Sequence, residues 1–523
     1  MTFGFRRGHK RLVALAAAVA GLATACTGGP PAGPTGSGGP PRAGGSLTLL
    51  TVADARGLDP FTATYNALVD EPRMAALYDP LFVIDPASGQ VRPHLGESLT
   101  TTDAGTTWTL ALRPNVRFSD GTPLDAEAVR TNWDMHADPA IRSLHRAAAA
   151  GLRLETTGPL TVRITPPSPN ANLDRTIATE LTYIAAPSAL AKGPATYSAH
   201  PVGAGPFTLQ TWTRGSRMDF TRNPAYWQHD RGLPHLDKLT IALATDIHQA
   251  YNTIRSGSAQ ILVSADPGTL EKAAEELNAA PLATNGGQNI TFNLTRPPFD
   301  DPRARRAIAI ATDPAELAKT LGQGFRPARA VFPRSSPFFD PTAAQPAADP
   351  AEAQRLFDEL AAAGNPLHFT LVTARNPQSQ LIAEFLQSRL TRYRNVDMSI
   401  EPLDIGAFVT TVRVNRTFQA AFDQTWQPDP EPGMYQSFHS TSPLNATGWS
   451  NPQADRALDQ ARATQDPAAR RTAYIALQHA LSADLPIWTF AESRIGPVWS
   501  NQATGVETYN GGVPYLDRIG LRS

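Results

Sequence analysis

The sequence predicts a loop-rich, mixed α/β protein of two or three domains. Three observations carry this. A chain of 523 residues is longer than one hydrophobic core usually organises. Short runs with an apolar residue at every second position, the period of a half-buried strand, alternate with stretches that open on Asp or Asp-Pro and continue at helical spacing. Its 47 Pro and 38 Gly make up about one residue in six, too many for a helical bundle.

Arg6, Arg7, Lys10 and Arg11 precede a mostly apolar run from Leu12 to Ala25. A basic start followed by a short apolar stretch reads as an export signal over residues 1–25, and its length and small residues do not suit a membrane span. Leu22-Ala23-Thr24-Ala25-Cys26 closes the run and is similar to a bacterial lipobox, which implies lipid attachment at Cys26. Cys26 is the only cysteine, so no intramolecular disulfide is possible and stability must come from burial. Residues 26–45, rich in Pro, Gly and Ser, bury too little surface to fold and read as a flexible tether. Loss of residues 1–25 removes four positive charges and no negative ones, taking the formal charge from −1 to −5. That balance argues against nucleic acid as a partner.

Beyond the tether, Ser46 to Val52 reads as an apolar strand leading to the turn Leu58-Asp59-Pro60. Trp108, Leu110 and Leu112 alternate with Thr109 and Ala111 as a strand, and Val116 and Phe118 repeat the pattern. Asp120-Gly121 marks a reversal, after which Asp125 is placed to cap a helix with Ala126, Val129 and Trp133 on one face. Leu160 to Ile164 gives another strand. Ile290, Phe292 and Leu294 make a strand ahead of a helix starting at Asp301-Pro302, with Ala304, Ala307, Ile308 and Ala311 inward. Asp313 and Asp349 open two further helices that Gly322 and Gly364 end. Pro366 to Val372 reads as a strand, Gln378 to Leu390 as an amphipathic helix, and Asp455 to Ala483 as a late helical section.

The wording of several segments resembles one family. LRPNVRFSDGTPLDAEAV from Leu112, PVGAGPFTLQTWTRGSRMDFTRNPAYW from Pro201, and NITFNLTRPPFDDPRARRAIAIATD from Asn289 are similar to motifs of extracytoplasmic solute-binding proteins, family 5, the oligopeptide, dipeptide and nickel type. Further echoes are ALYDPLFVID from Ala76 and the Asp484-Leu485-Pro486 turn. The resemblance spans nearly all of residues 46–520. It implies a two-lobed, periplasmic-binding-protein-like hinge fold of α/β type with mixed sheets and an extra subdomain. The first domain would be discontinuous, over 46–72, 190–295 and 486–523, with an extra subdomain over 73–189 and a second lobe over 296–485. It also implies the receptor of an ABC importer, lipid-anchored to the outer face of the cytoplasmic membrane, monomeric, with permease and ATPase subunits as partners. The ligand that family membership implies is a small solute, a peptide or peptide-like molecule; the alternatives are an oligosaccharide, metal chelate or opine in the same fold, and outside the class a secreted hydrolase or surface adaptor.

The same resemblance supplies site residues. Thr64, Tyr65 and Asn66 fall where relatives reach the cleft, although Tyr65 packing on Leu68 explains that residue equally well. Trp426 and Asp429 keep the spacing of a W-x-x-D element whose tryptophan lines the cleft and whose carboxylate holds a peptide ammonium. Asp429-Pro430 also matches a second, later Asp-Pro of relatives, and under that alignment the anchor is missing. Arg375 is placed as a carboxylate-binding cation, and Asn445 and Trp449 at the border of the cleft. HExxH, GxSxG and CxxC are absent and the histidines lack metal-ligand spacing, so neither catalysis, metal nor cofactor is expected.

Overall fold

The computed structural model of the protein describes residues 39–322 and 324–522. The expected export signal, Cys26 and the expected tether up to residue 38 lie outside the described residues. An eleven-stranded sheet runs through the molecule. From one edge it takes the strands Val396–Leu403, Leu367–Ala374, Ala420–Gln427, Leu282–Phe292, Ile487–Trp499, Ile261–Ser264, Ser46–Thr51, Lys238–Leu243, Arg217–Arg222 and Phe207–Thr213, with Asn278–Ala279 paired beside Ile487–Trp499.

Ile487–Trp499 joins the two halves of this sheet. Its beginning pairs antiparallel with Leu282–Phe292, Trp488 opposite Ile290, and its end pairs with Ile261–Ser264, Trp499 opposite Ile261. Leu282–Phe292 changes register between Thr284 and Gln288, where Gly286 and Gly287 both have positive φ. A Cβ on Gly286 would lie 1.7 Å from Thr425 Oγ1, so the neighbouring strand approaches only because no side chain is present. Each half has its own apolar interior. Leu47, Leu49, Phe207, Leu239 and Ile261 belong to one, and Ile290, Phe292, Phe357, Leu371 and Trp488 to the other.

Against the first half stands a four-stranded antiparallel sheet of Gly96–Thr100, Trp108–Leu112, Thr161–Thr165 and Arg153–Gly158, in that order. Trp108, Leu110 and Leu112 are buried, as their alternation requires, together with Val129 and Trp133 of the helix Ala126–Ala137. Asp125 caps that helix by accepting from Ala128 N at 2.9 Å. Both indoles spend their N–H inside, Trp108 on Asn170 O and Trp133 on Leu181 O. Val116 and Phe118 are buried but form no strand. Asn115 takes a φ of 64°, which breaks the extended chain, and only an isolated bridge joins Arg117 to Pro123.

The late helical section is two helices, Pro452–Arg462 and Pro467–Asp484, the second capped by Asp466. The chain then returns along Ile487–Trp499 to the first half, where Asn510 Oδ1 accepts from Ile84 N at 2.8 Å. No helix among the described residues is long and apolar enough to cross a membrane.

Candidate functional site

A cavity of about 370 Å³ is lined by residues from both halves of the molecule. Thr64–Ala67, Glu71, His145 and Glu180 line it from the first half, and Trp426–Asp429, Glu431 and Gln436 from the second. Its size falls within the range of about 300–1,000 Å³ usual for small-molecule sites.

The first wall is built by a chain of local bonds. Asp59 Oδ1 accepts from Phe61 N and Thr62 N, turning the chain after the first strand. Thr64 donates through both N and Oγ1 to Asp70 Oδ2 at 2.9 Å, and Tyr65 gives its hydroxyl proton to Pro60 O at 2.9 Å. Their polar groups are therefore occupied, and Tyr65 offers the cavity an aromatic surface. It stacks on His145 at 3.8 Å and meets Tyr183 edge-on at 5.0 Å. Asn66 accepts Leu68 N through Oδ1, while its amide nitrogen has no acceptor among the described residues.

His145 sits between two acceptors, Ala63 O at 3.0 Å from Nε2 and Glu180 Oε2 at 2.6 Å from Nδ1. The carbonyl can only accept, so Nε2 is the donor in that bond, and Nδ1 faces the carboxylate. Glu71 is 4% exposed and receives only Asn510 Nδ2 at 3.3 Å and the Tyr183 hydroxyl at 3.4 Å, both on Oε1. Burial pushes its carboxyl up to about 7 against those two hydrogen bonds.

The second wall carries two acids that are already paired. Asp429 is 6% exposed. Arg470 donates to it through Nη2 at 2.6 Å and Nη1 at 3.3 Å, Arg175 through Nε at 3.0 Å, and Glu431 N at 2.9 Å. Glu431 in turn accepts twice from Arg462, at 3.0 and 2.6 Å. Asp429 thus stands at the cavity wall, where the sequence reading puts it, but its oxygens are committed to two guanidinium groups. The expectation that it holds a ligand ammonium is corrected on that ground. Arg175 belongs to the helix Leu173–Glu180 of the first half, so this ion pair also ties the two walls together.

Five residues expected at the site meet there: Thr64, Tyr65, Asn66, Trp426 and Asp429. Three do not line it. Arg375 is 63% exposed and is spent on Asp404 Oδ1 and Pro402 O. Asn445 is buried and shapes its own loop, donating to Trp449 O and accepting from Thr447 Oγ1 and Gly448 N. Trp449 is buried in the helical core, with its indole N–H on Asp484 Oδ2 at 2.8 Å. Glu71, His145, Glu180, Gln436 and Asn510 line the cavity without having been singled out in the sequence. Asp70-Glu71-Pro72 reads as an ordinary exposed helix start, and a lone histidine carries no pattern.

The model of the bacterial extracellular solute-binding proteins, family 5 Middle, matches residues 90–445. The glutathione-binding protein GsiB of Escherichia coli (strain K12) is 29% identical over 473 residues, covering 86% of this chain and 89% of the relative. GsiB of Shigella dysenteriae serotype 1 (strain Sd197) is also 29% identical, over 476 residues with the same coverage. Among solved structures, the oligopeptide-binding protein AppA from Bacillus subtilis, in complex with a nonapeptide, matches with a TM-score of 0.78 at 20% identity, covering 92% of this chain and 100% of that one. AgaA in complex with agropinic acid, from A.tumefacien R10, matches with a TM-score of 0.79 at 22% identity, over 92% and 99%.

Proposed function

The chain belongs to the bacterial extracellular solute-binding proteins of family 5, and from that premise we propose that it captures a small peptide or peptide-like solute between two lobes and hands it to the permease and ATPase subunits of an ABC importer. The observation that carries the reading is the cavity of about 370 Å³, walled from both halves of the molecule and holding an aromatic surface beside polar groups. The lobes are the segments 46–72, 190–295 and 486–523 on one side and 296–485 on the other, with 73–189 as the extra subdomain. Leu282–Phe292 and Ile487–Trp499 run between them as the hinge. The ligand need only favour the shut arrangement over the open one by a few kcal/mol to drive closure.

The mature protein begins at Cys26, carries lipid there, and hangs as a monomer from the outer face of the cytoplasmic membrane by residues 26–45. Glutathione and oligopeptides, bound by the relatives named above, mark the size class of the solute. Thermal unfolding of the mature domain against dipeptides, tripeptides, glutathione, oligosaccharides, metal chelates and opines tests this. A binder raises the melting temperature with concentration as RT ln(1 + [L]/Kd), and the peptides are expected to do so. Flat curves across the whole panel at millimolar concentration would sink it.

A further inference from the structure

We infer that Glu71, with Glu180 beside it, is the subsite for a positively charged group of the solute, an ammonium in the simplest case. This rests on the reading of the cavity as a solute site. A carboxylate taken out of water requires a cation or a full set of hydrogen bonds, and the other buried acids of the cavity wall have one. Asp429 has Arg470 and Arg175, Glu431 has Arg462, and Glu180 is part-exposed and bonds the His145 imidazole. Glu71 is the exception. At 4% exposure it has two long contacts from neutral donors on Oε1, and among the described residues no donor reaches Oε2. The lining includes no lysine or arginine. The missing counter-charge is therefore one that an occupant brings, and the same lining gives a ligand carboxylate no guanidinium to meet.

The groups around Glu71 are Tyr183, Tyr509 and Asn510 on its packed side and His145, Glu180 and Tyr65 along the same wall of the cavity. With its carboxyl pushed up to about 7, an arriving cation makes Glu71 give up a proton. Binding of a cationic solute at pH 7 then releases about half a proton, and affinity is about tenfold weaker at pH 6 than at pH 8.

The test uses the mature protein and matched probes: Ala-Leu, N-acetyl-Ala-Leu and putrescine, each titrated calorimetrically in phosphate and in Tris. Ala-Leu or putrescine is expected to bind, N-acetyl-Ala-Leu at least tenfold more weakly than Ala-Leu. Glu71→Gln should lower the affinity of the binding amine at least tenfold, abolish the buffer-dependent proton release and flatten the pH profile. Glu180→Gln should lower affinity without flattening it. Preference for putrescine over Ala-Leu would place a basic side chain rather than a peptide terminus in the subsite. If the acetylated peptide binds as well as the free amine, or if Glu71→Gln leaves affinity and proton release unchanged, the subsite is overturned while the solute-binding reading stands. If none of the three probes binds, the subsite falls, and the broader panel above decides separately on the solute-binding reading. Glu71→Gln keeps the side-chain shape and removes the buried charge, so an unaltered far-ultraviolet spectrum and a melting temperature at least that of the wild type confirm that the variant folds.

Discussion

Among the acids of the cavity wall, Asp429 and Glu71 differ in what faces them, and the difference predicts opposite consequences of neutralising them. Asp429→Asn leaves Arg470 and Arg175 without their anion in a buried setting and is expected to destabilise the fold by about 3–5 kcal/mol, read from urea denaturation. Glu71→Gln should do the reverse above neutral pH. Burial raises the Glu71 carboxyl from 4.5 to about 7, so over that window the folded chain holds a proton that the unfolded chain has released. Stability from this group is complete below the unfolded value and is lost as pH rises through the folded one, on the order of 3 kcal/mol in all. The gap between Glu71→Gln and wild type should widen from pH 5 to pH 8, and a constant gap would show that Glu71 is not the group responsible. Trp426→Ala, which strips the aromatic wall of the second half, should cost about 2 kcal/mol of binding to whichever solute the thermal screen identifies.

The residues just named show how far the sequence could be read. Trp426 and Tyr65 were legible because large aromatic residues in family-like wording fall in the cavity wall. The office of Asp429 was not, since its two arginines come from residues 175 and 470, and no local pattern couples positions so far apart. Asn445 misled for the opposite reason. An amide two and three residues before Thr447 and Gly448 closes a turn on itself, and the polar side chain is consumed before it can reach a ligand.

At the scale of single elements, the local rules held best at helix starts. Asp125, Asp301, Asp313, Asp349 and Asp466 each accept from a backbone N–H in the first turn, and in all but the first a proline follows the cap directly. Those bonds join residues two or three apart, so adjacent letters contain the whole interaction. Asp466→Ala is expected to remove about 1 kcal/mol from unfolding, measured by denaturant midpoint, because its carboxylate is the acceptor for Ala469 N at 2.7 Å. Strands were harder to read. The Trp108–Leu112 alternation succeeded because both of its neighbours are antiparallel and one face is packed. The continuation through Val116 and Phe118 failed because burial of two apolar side chains needs no ladder once Asn115 has turned the chain.

For the molecule as a whole, closure is held by contacts between the first-half helix Leu173–Glu180 and the second half. Asn172 Nδ2 donates to Ala461 O at 3.0 Å, Arg462 O at 3.3 Å and Thr464 O at 2.9 Å, meeting the carbonyls at the end of the helix Pro452–Arg462. Ala171 N adds a bond to Arg462 O. Asn172→Ala deletes three of these contacts without touching the cavity lining. It should favour the open arrangement, seen as a larger radius of gyration in solution scattering and a severalfold weaker affinity, with the solute restoring the compact form. An unchanged radius together with unchanged affinity would mean that the clasp does not govern closure.

Asn510 bonds Ile84 N and Ala178 O as well as reaching Glu71, which lies 439 residues earlier in the chain. The wall of the binding chamber is thus finished by a segment synthesised long after the one it completes. Until this late segment has docked, the lobes can be begun but the chamber stays open on the side of Glu71.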